Sequence, residues 1–574
     1  MAQQPRFNLP QAMQEAVQLH QQGQLRDAEK LYARVLKAAP DTFDALHLLG
    51  LVKAQSGHMG EAYRLMSAAL KINPDAPDAL MNLANVLHAL KRDAEALGTL
   101  DKAAALRPGD PAIIHHRGNA LIALNRPAEA LACFEAVLAR EPRHGDALIN
   151  RGVALAALDR PQEALASFDA ALALAPNHPG ALYNRGNALL ALGRDAEALA
   201  AFDRALALTP NHVTALNNRG RSLQALNRHD EAVISFDQAI AVQKDYADAH
   251  FNRALSLLTL GDLRRGFADY EWRWKRSGMT DSRRNYRGAL WLGEYPLGGR
   301  TILLHAEQGL GDTIQFARYA PLLARAGAKV VLEVQAELKP LLSALDGVAA
   351  CHARGETLPA YDVHCPLGSL PLALKTDGAT IPAEIPYLHA DGALVAKWRP
   401  RLEALPGKRV ALAWAGHARH VNDRNRSIAL DQLAPLFALK GISVVSIQRE
   451  LRDGDAELLA RFPRVMHLGD QLADMADTAA IIALADLTLT VDTSVAHVAG
   501  AMGRPLSVML PFAPDWRWTI AHDPEKWEPV FGQDHAPKKG ERSPWYPQAR
   551  LYRQPSMGDW PSVIAAVCGD LARA

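Results

Sequence analysis

The residues best suited to chemistry fall in three short segments, each between a strand-like run and a helix-like run. In EQGLGDT (307–313), Gly309 and Gly311 let the backbone approach a ligand closely, and the helix start offers free amide donors. Asp312 would lie at the mouth of a cleft, where a carboxylate can accept a proton from an attacking hydroxyl. The alternative is that Asp312 only caps the helix.

The second segment, VDTSVAH (491–497), follows the strand-like run LTLT and opens a helix. Asp492, Thr493 and Ser494 beside the free amides of a helix start form a natural phosphate site. His497 lies one turn further and could donate to a phosphate or a sugar hydroxyl. The alternative is a plain helix cap with a buried structural histidine. A Ser-His-Asp triad is excluded, because these residues share one local turn without a Gly-x-Ser-x-Gly elbow.

The third segment, AGHARHVNDRNRS (415–427), follows the strand-like run RVALAWAG. Its guanidinium groups, including those of Arg424 and Arg426, could hold a diphosphate, because arginine pairs with phosphate through two hydrogen bonds. The alternative is a solvated basic loop.

No metal site is predicted. His417 and His420 lie in the basic loop, but no cysteine or well-spaced carboxylate completes a ligand set there. Asp453 and Asp455 form an Asp-x-Asp pair that directly precedes the helical run AELLARF, so we interpret the pair as a helix cap.

Strand-like runs alternate with helical runs from Arg300 onward, which predicts an α/β fold with parallel sheets. The predicted strands are TILLHAE, KVVLEV, YDVHCP, RVALAWAG, SVVSIQ and LTLTVDT. The alternation pauses at 391–408, so we predict two Rossmann-like lobes, at 300–395 and 396–574. A ligand cleft is expected between them, at the carboxyl ends of the strands. The C-terminal helix SVIAAVCGDLA is expected to cross back and brace both lobes.

Upstream, prolines recur every 34 residues, at positions 40, 74, 108, 142, 176 and 210. Each unit has the pattern of two amphipathic helices, with small residues where the helices cross. This period, with a proline closing each second helix, resembles the tetratricopeptide repeat. We predict an α-solenoid over 9–276, with seven full units and a less regular eighth. An aromatic-rich junction at 277–299 is expected to pack one domain against the next.

The composition is that of an ordinary globular protein of two or three domains. The 63 basic and 62 acidic residues nearly cancel, so no global field favours nucleic acid or an anionic membrane. The start lacks a secretory pattern, and no run of about 18 apolar residues could span a bilayer. Four scattered cysteines, with no Cys-x-x-Cys pair, indicate reduced thiols and a cytoplasmic location.

Several motifs, in the same order, resemble one known family. HAEQGLGDTIQFARYAPLL, AGHARHVNDRNRSI, SVVSIQ, DTSVAHVAGAMGRP, DWRW and SPWYPQARLYRQ are similar to the glycosyltransferase domain that follows tetratricopeptide repeats in many bacterial proteins. That domain is similar to the ADP-heptose:lipopolysaccharide heptosyltransferases, and the layout resembles the O-linked N-acetylglucosamine transferase. The resemblance covers about 300–560. It implies a GT-B fold and an inverting, metal-independent transfer from a nucleotide-sugar donor, with no further cofactor.

The resemblance also implies roles for individual residues. Asp312 matches the acidic residue of a Gly-Asp motif, the usual candidate base, and His497 is the less favoured alternative. Gln448 would lie near the nucleotide base or ribose. The implied donor-site residues are Gly309, Gly311, Arg424, Arg426, Ser427, Gln448, Asp492, Thr493 and Ser494. The segment 519–542 is longer than the family pattern suggests and could be a lid, a partner contact or a neutral loop.

The first helices of the repeats carry an asparagine series with the same period, interrupted by His116. Its members are Asn82, Asn150, Asn184, Asn218 and Asn252. In the O-linked N-acetylglucosamine transferase, a ladder of asparagines on the concave face grips the acceptor polypeptide, and this series looks similar. An amide suits that task because it both donates and accepts. The alternative is that these amides only hydrogen-bond between adjacent repeats.

The sequence therefore predicts a cytoplasmic protein glycosyltransferase whose solenoid selects a polypeptide acceptor. Flagellin is one acceptor class that the resemblance suggests. Two alternatives stay open, a non-catalytic scaffold and a transferase that acts on a lipid or polysaccharide precursor. The near-neutral charge and the lack of a membrane-seeking helix speak against a lipid acceptor, which usually requires a basic or amphipathic face.

Overall fold

The structure, a computed structural model, describes residues 8–277, 284, 286–418, 422–518 and 543–573. The chain divides into two compact units, unit 1 (residues 1–215) and unit 2 (residues 216–574). Parts of three predicted segments lie outside the described residues: 278–283 and 285 of the junction, 419–421 of the basic loop with His420, and all of 519–542.

Within the described residues, two kinds of helix alternate in eight pairs, which confirms the predicted repeats. The first helices are α1 Leu9–Gln21, α3 Phe43–Gln55, α5 Pro77–Ala89, α7 Pro111–Ala123, α9 Gly145–Ala157, α11 Pro179–Ala191, α13 Val213–Ala225 and α15 Ala247–Thr259. The second helices are α2 Leu25–Ala38, α4 Met59–Ile72, α6 Asp93–Leu106, α8 Pro127–Arg140, α10 Pro161–Leu174, α12 Asp195–Leu208, α14 His229–Val242 and α16 Leu263–Tyr270. A 3₁₀ turn, Glu271–Lys275, follows the short α16 and ends the irregular eighth unit.

The prolines set where the second helices stop. Helix α4 ends at Ile72, and Asn73, directly before Pro74, is extended at φ −130° and ψ 91°. The ring of a proline clashes with the residue before it and pushes that residue out of the helical region. The same sequence pattern therefore ends the second helix of each of the first six repeats at the same place.

In unit 1, the two helices of a repeat approach each other through a glycine. A Cβ built on Gly152 would lie 2.5 Å from a ring carbon of Phe168, and one on Gly186 would lie 2.6 Å from a ring carbon of Phe202. Closely packed cores do not absorb such an overlap without moving the neighbours. The small and the large residues that recur every 34 positions thus meet at the predicted helix crossings.

Unit 2 contains two sheets in which every strand pair is parallel, as predicted for an α/β region. The first sheet has the order β1-β5-β2-β3-β4, with strands β1 Ala289–Leu290, β2 Thr301–His305, β3 Lys329–Val334, β4 Val348–Ala353 and β5 Val363–Pro366. Its helices are α17 Leu310–Ala317, α18 Ala320–Arg325, α19 Lys339–Leu342 and α20 Leu370–Ala373. The junction supplies β1 at the edge of this sheet, and Trp291 is buried beside it.

The second sheet has the order β11-β10-β9-β6-β7-β8. Its strands are β6 Lys408–Ala413, β7 Ile442–Ser446, β8 Met466–His467, β9 Leu487–Val491, β10 Leu506–Leu510 and β11 Ala549–Arg553. The helices of this region are α21 Gly392–Glu403, α22 Asp423–Arg426, α23 Ala434–Phe437, α24 Asp455–Ala460, α25 Met475–Leu484, α26 Ser494–Ala501 and α27 Trp560–Arg573.

Each sheet has one point where the strand order reverses, between β2 and β5 in the first and between β6 and β9 in the second. Ligands of parallel sheets bind outside the carboxyl ends of the strands at such a point. The segment 306–313 follows β2, while 414–427 follows β6 and 492–497 follows β9. All three segments singled out for chemistry therefore lie at reversal points.

The C-terminal helix does not brace both halves, so that prediction is wrong. Helix α27 packs on the second sheet, where Val563, Ile564 and Val567 are buried in one core with Leu412 and Val444. Helices α17 and α26 instead pack against each other and join the two sheets. Their starting residues carry two of the predicted site segments.

Candidate active site

Helices α17 and α26 meet at a glycine with no room for a side chain. A Cβ on Gly311 would lie 2.7 Å from Cδ2 of His497. Gly311 was predicted to make room for a ligand, and that prediction is wrong, because the imidazole of His497 fills the space. At Gly311, helix α17 approaches helix α26 closely. This contact places the predicted base, Asp312, beside the start of α26.

Asp312 caps its own helix and also pairs across the fold. Its Oδ2 accepts the N–H of Gly309 at 3.1 Å, so Gly309 begins α17 as a cap position. Its Oδ1 accepts Nη2 of Arg517, which belongs to the 3₁₀ turn Trp516–Trp518. The capping alternative is therefore correct. The other oxygen of the same carboxylate binds Arg517, so capping is not the only contact that Asp312 makes.

Arg517 is buried among acceptors. Its Nη1 donates to Asp515 at 2.8 Å and its Nε to Oε1 of Gln315 at 2.6 Å, while its guanidinium lies 4.2 Å from the ring centre of Trp516. Burial alone would lower the pKa of Arg517, but the carboxylates of Asp515 and Asp312 raise it above its ordinary value. The guanidinium is therefore a fixed positive charge.

Asp492 brings a second arginine into this cluster. Nε1 of Trp518 donates to the Asp492 carboxylate at 2.7 Å, and Nη1 of Arg426 donates to the Asp492 carbonyl at 3.0 Å. Burial and the Asp515 carboxylate raise the pKa of Asp492, against the opposing effects of Trp518, Arg426 and Arg517. The guanidinium groups of Arg426 and Arg517 thus both lie within electrostatic reach of Asp492, just before α26.

No side chain of the described residues caps α26, which removes the plain-cap alternative. Thr493 stands at the cap position, but its hydroxyl shares a hydrogen bond of 3.0 Å with that of Thr490. Ser494, the first residue of the helix, is half-buried. The positive end of the helix dipole therefore faces Asp492 without a capping acceptor.

His497 is packed as a neutral ring. Its Nδ1 and the hydroxyl of Tyr546 share a hydrogen bond of 3.0 Å, and its ring centre lies 5.4 Å from that of Trp518. Burial lowers the pKa of His497 well below its ordinary value, and the positive charges of Arg517 and Arg318 lower it further. A second proton on this imidazole, which would make it positively charged, is strongly disfavoured.

The side-chain amide of Gln448, predicted to lie near the nucleotide base or ribose, is engaged by the backbone. Its Oε1 accepts the N–H groups of Trp414 at 3.1 Å and Ala415 at 3.0 Å, and its Nε2 donates to the carbonyls of Ala415 and Glu450, both at 3.1 Å. All the hydrogen-bonding capacity of a primary amide is thereby used. Gln448 positions the start of the basic loop.

Ser427 has a similar structural task at the other end of the loop. Its hydroxyl donates to Asp423 at 2.8 Å and accepts the N–H of Gly416 at 3.1 Å. Arg424 lies on α22 with an exposed side chain. Arg426 reaches the Asp492 cluster through its hydrogen bond to the Asp492 carbonyl.

The Asp-x-Asp pair is not a helix cap, so that interpretation is wrong. Asp455 is buried as the first residue of α24, and no side-chain cap precedes that helix. The Asp455 carboxylate accepts Nε1 of Trp414 at 3.3 Å and the N–H of Arg452 at 3.1 Å. Asp455 therefore fixes the chain beside β6.

A buried ion-pair network beside the site was not predicted. Arg273, with 1% of its side chain exposed, donates to Glu307 at 3.1 Å, to Glu271 at 2.6 Å and to the hydroxyl of Ser369 at 2.7 Å. Tyr270 of α16 also donates to Oε1 of Gln308 at 2.8 Å. The last repeat helix is thereby joined to the segment that precedes Asp312. The only signal in the sequence was a charged residue at the end of the apolar run TILLHAE.

The Glu307 carboxyl should make the stability of unit 2 depend on pH. Burial raises the pKa of Glu307 from 4.5 to about 7, helped by Asp312 and Glu271 and opposed by Arg273. Between these two pH values the folded state holds a proton that the unfolded chain has lost. The contribution of Glu307 to the free energy of unfolding is therefore complete below pH 4.5 and is lost as the pH rises through 7. Over this range the free energy of unfolding should fall by at most about 1.4 kcal/mol per pH unit.

Urea unfolding of the wild type and of Glu307→Gln across this pH range tests this expectation. All ten tryptophans lie between positions 272 and 560, so tryptophan fluorescence follows unit 2. The neutral amide cannot titrate, so the variant should lose this part of the slope. An equal slope in both proteins would show that Glu307 does not titrate in this window.

The asparagine series makes hydrogen bonds between repeats. In unit 1, Nδ2 of Asn82 is 3.0 Å from Nε2 of His47, and Nδ2 of Asn150 is 3.2 Å from Nε2 of His115. Each partner lies 35 residues earlier, in the preceding repeat. In unit 2, Asn252 donates at 2.9 Å to a residue at the same spacing, the buried Asn217.

The remaining two asparagines differ. Asn218 accepts a hydrogen bond of 3.2 Å from its neighbour Asn217. The residue 35 positions before Asn184 is the apolar Ile149, and the side-chain amide of Asn184 has no hydrogen-bond partner within the described residues. The inter-repeat alternative is thus confirmed for Asn82, Asn150 and Asn252, and the binding of a polypeptide stays a prediction.

Comparison with known proteins identifies the repeats. A family model described as tetratricopeptide repeat matches residues 14–77, 116–179, 158–213 and 217–277, and a second model of the same description matches 53–116. The helices from α1 to α16 therefore form tetratricopeptide repeats.

A curated relative is similar over a longer stretch. Protein FlbA of Caulobacter vibrioides (strain ATCC 19089 / CIP 103742 / CB 15) is 26% identical over 339 residues, which cover 54% of this chain and 52% of the relative. The chain thus spans about half the length of that protein.

Two solved tetratricopeptide repeat proteins are also similar to part of the chain. One, from Parabacteroides merdae ATCC 43184, is 17% identical with a TM-score of 0.35, covering 42% of this chain and 94% of its own. The other, YrrB, described as a TPR protein with an unusual peptide-binding site, is 27% identical with a TM-score of 0.28, covering 32% and 95%.

Across the described ranges, every helix is too short or too polar to span a bilayer. The same residues hold no cluster of three or more His, Cys, Asp or Glu side chains placed to bind a metal ion. The four cysteines are unpaired, and Cys133 and Cys365 are buried.

Proposed function

We propose that this protein is a cytoplasmic, inverting glycosyltransferase of the GT-B type. It would move a sugar from a nucleotide-sugar donor to a hydroxyl of a polypeptide acceptor. One observation carries the proposal: a carboxylate, two guanidinium groups and an uncapped helix start converge where α17 meets α26, at the strand-order reversals of two parallel sheets. These groups match the needs of a diphosphate leaving group and an attacking hydroxyl.

The donor diphosphate belongs at the start of α26. Helix-terminal amides and the helix dipole favour an anion there, and guanidinium groups bind phosphate oxygens through paired hydrogen bonds. Arg426 and Arg517 supply the positive charge beside Asp492. Charge that develops on the leaving diphosphate would meet donors that are already in place, which lowers the barrier without reorganisation.

Asp312 is the base in this proposal. It takes the proton of the acceptor hydroxyl while that oxygen bonds to the anomeric carbon, and the bond from this carbon to the diphosphate oxygen breaks. The nucleoside diphosphate leaves with the bonding electron pair. His497 was the alternative base, but burial and two neighbouring arginines oppose the positive charge that a base of this type must accept.

The repeats are proposed to select the acceptor. Solenoids of tetratricopeptide repeats present extended surfaces to protein partners. The amide of Asn184, together with the unused capacity of Asn82 and Asn150, suits a polypeptide backbone, which offers donors and acceptors alternately. Flagellin is the first acceptor to test.

The test is nucleotide binding followed by transfer. We expect at least one nucleoside diphosphate to raise the melting temperature, because a ligand at 100 times its Kd stabilises the folded state by about 2.7 kcal/mol. Arg426→Met should reduce this shift. Arg264→Met, which removes an exposed arginine paired with Asp377, should leave it unchanged. Intact-mass analysis of flagellin incubated with the matching nucleotide sugar then detects transfer.

Each outcome decides between function classes. A melting temperature that no nucleoside diphosphate or nucleotide sugar changes at millimolar concentration would favour the non-catalytic scaffold. Donor binding with sugar added to a lipid or polysaccharide precursor, and not to polypeptide, would contradict the acceptor class alone.

A further inference from the structure

The contact between Arg517 and Asp312 joins the two halves of the candidate site. Arg517 follows β10 of the second sheet, and Asp312 begins the helix after β2 of the first. The last repeat helix, α16, supports both sides of this contact. Tyr270 donates to Gln308 beside Asp312, and the ring of Phe267 lies 5.7 Å from that of Trp516 beside Arg517.

Every nitrogen of the Arg517 guanidinium is already engaged. Nη2 donates to Asp312, Nη1 to Asp515 and Nε to Gln315. Three of the five N–H groups are thus used, so an anionic ligand at the start of α26 competes with these acceptors for the positive charge of Arg517. With 10% of its side chain exposed, Arg517 has little water to replace a lost partner.

Asp312 is the partner that can be released. Asp515 lies two residues from Arg517, and its Oδ1 also accepts the backbone N–H of Arg517 at 3.0 Å, so it moves with the arginine. Asp312 belongs to another element and keeps the Gly309 N–H as a donor when Arg517 leaves. The charge-assisted bond across the site is therefore the exchangeable one.

We infer that Arg517 is a latch on the base, opened by the diphosphate of the donor. This inference rests on the proposed function. Without donor, Arg517 occupies Oδ1 of the carboxylate and the Gly309 N–H occupies Oδ2, so both oxygens are already engaged. When the diphosphate binds, Arg517 turns to the phosphate oxygens, and Asp312 becomes free to take the proton of the acceptor hydroxyl. Arg517 thus positions the donor and couples donor binding to base activity.

The latch has a consequence that a purely structural ion pair does not share. Asp312 and the diphosphate compete for one guanidinium, so each weakens the hold of the other by the same factor. Removing the charge of Asp312 should therefore tighten nucleoside diphosphate binding, although it removes the base. Removing Arg517 should weaken binding and abolish the effect of the Asp312 substitution.

Calorimetric titration with the nucleoside diphosphate that gives the largest melting shift measures these effects. Asp312→Asn should bind at least about threefold tighter than the wild type, and Arg517→Met at least about tenfold weaker. The double variant should bind like Arg517→Met alone. Glu337→Gln removes one exposed charge from the same half of unit 2 and should bind like the wild type.

The outcomes separate the latch from the function on which it rests. Equal or weaker binding by Asp312→Asn, or the same tightening in the Arg517→Met background, overturns the latch while leaving donor binding in place. If the wild type binds no nucleoside diphosphate, the proposed function fails and the latch with it. If Arg517→Met does not fold, Arg517→Lys replaces it. That variant keeps the charge but not the fork of donors, and it should retain only part of the tightening.

Discussion

Replacing Asp312 with asparagine is expected to lower sugar transfer by about 10²–10⁴-fold, the usual effect of removing a general base. Asparagine has the same shape and keeps an oxygen that can accept the Gly309 N–H, so the start of α17 should survive. It cannot accept the proton of the acceptor hydroxyl. The measurement is the initial rate of mass increase of the acceptor at saturating donor, with far-UV circular dichroism to verify the fold.

Two further variants make this result specific. Glu337→Gln removes the same charge from an exposed position and should transfer at the wild-type rate. Asp515→Asn leaves Asp312 in place but removes the charge of a partner of Arg517, so its effect should be smaller than that of Asp312→Asn. If Asp312→Asn keeps more than about a tenth of the rate, Asp312 is not the base. His497→Gln would then be the variant to examine.

The repeats could be predicted almost residue by residue, because one local rule fixes them. The spacing of Gly152 and Phe168 within a repeat sets the helix crossing, and Pro74 sets where α4 stops. Both depend on residues close in sequence, and the 34-residue period repeats the evidence along the chain. The eighth unit was predicted to be less regular, and its second helix, α16, is short.

The sheets were predicted in class but not in full. Strands β2, β3, β5, β6, β7 and β9 appear as apolar runs before a turn or a helix, which is the pattern of buried parallel strands. Strands β1 and β8 have two residues each, too few for a periodicity. In strand β11, Ala549–Arg553, three of the five side chains are polar: Arg550, Tyr552 and Arg553. The strand exists through its pairing with β10. Tertiary pairing, absent from local sequence, decides such strands.

The candidate site residues lie at the strand ends and helix starts where the sequence places them, but the partners of these residues were not predicted. Helix starts and strand ends correctly located Asp312, Asp492 and the loop of Arg426, because topology puts the carboxyl ends of parallel strands together. The pairing of Asp312 with Arg517 spans 205 residues, and no local pattern indicates it. Nor does a sequence show which way a buried amide turns, so Gln448 was assigned to a ligand although the backbone takes all its hydrogen bonds.

Replacing Arg273 with methionine is expected to lower the free energy of unfolding of unit 2 by about 3–5 kcal/mol. Methionine fills a similar volume, so the loss should come from charge and not from a cavity. Glu307, with 4% of its side chain exposed, and Glu271 would lose the cation that compensates them. Ser369 would lose a donor as well. Urea unfolding followed by tryptophan fluorescence measures the change.

Arg264, on the helix α16 that precedes the 3₁₀ turn of Arg273, offers a matched control. Arg264 forms an ion pair with Asp377 at 2.7 Å, but 66% of the Arg264 side chain is exposed, whereas Arg273 is buried. Water screens such a pair, so Arg264→Met should change the free energy of unfolding by less than about 1 kcal/mol. Similar losses for the two variants would contradict the idea that burial sets the difference.

The double variant Arg273→Met/Glu307→Gln shows where the energy of the network resides. If the loss in Arg273→Met comes from an uncompensated buried carboxylate, neutralising Glu307 should restore part of it, since the amide needs no counter-charge. If the loss comes from the anchoring of the segment after α16, the double variant should be at least as unstable as the single one. Arg273 lowers the pKa of Glu307, so in its absence Glu307 ionises only at a higher pH. Recovery in the double variant that grows as the pH rises would show that the network compensates buried charge beside the base. The last repeat would then be joined to the Asp312 segment by a contact whose strength depends on the protonation of Glu307.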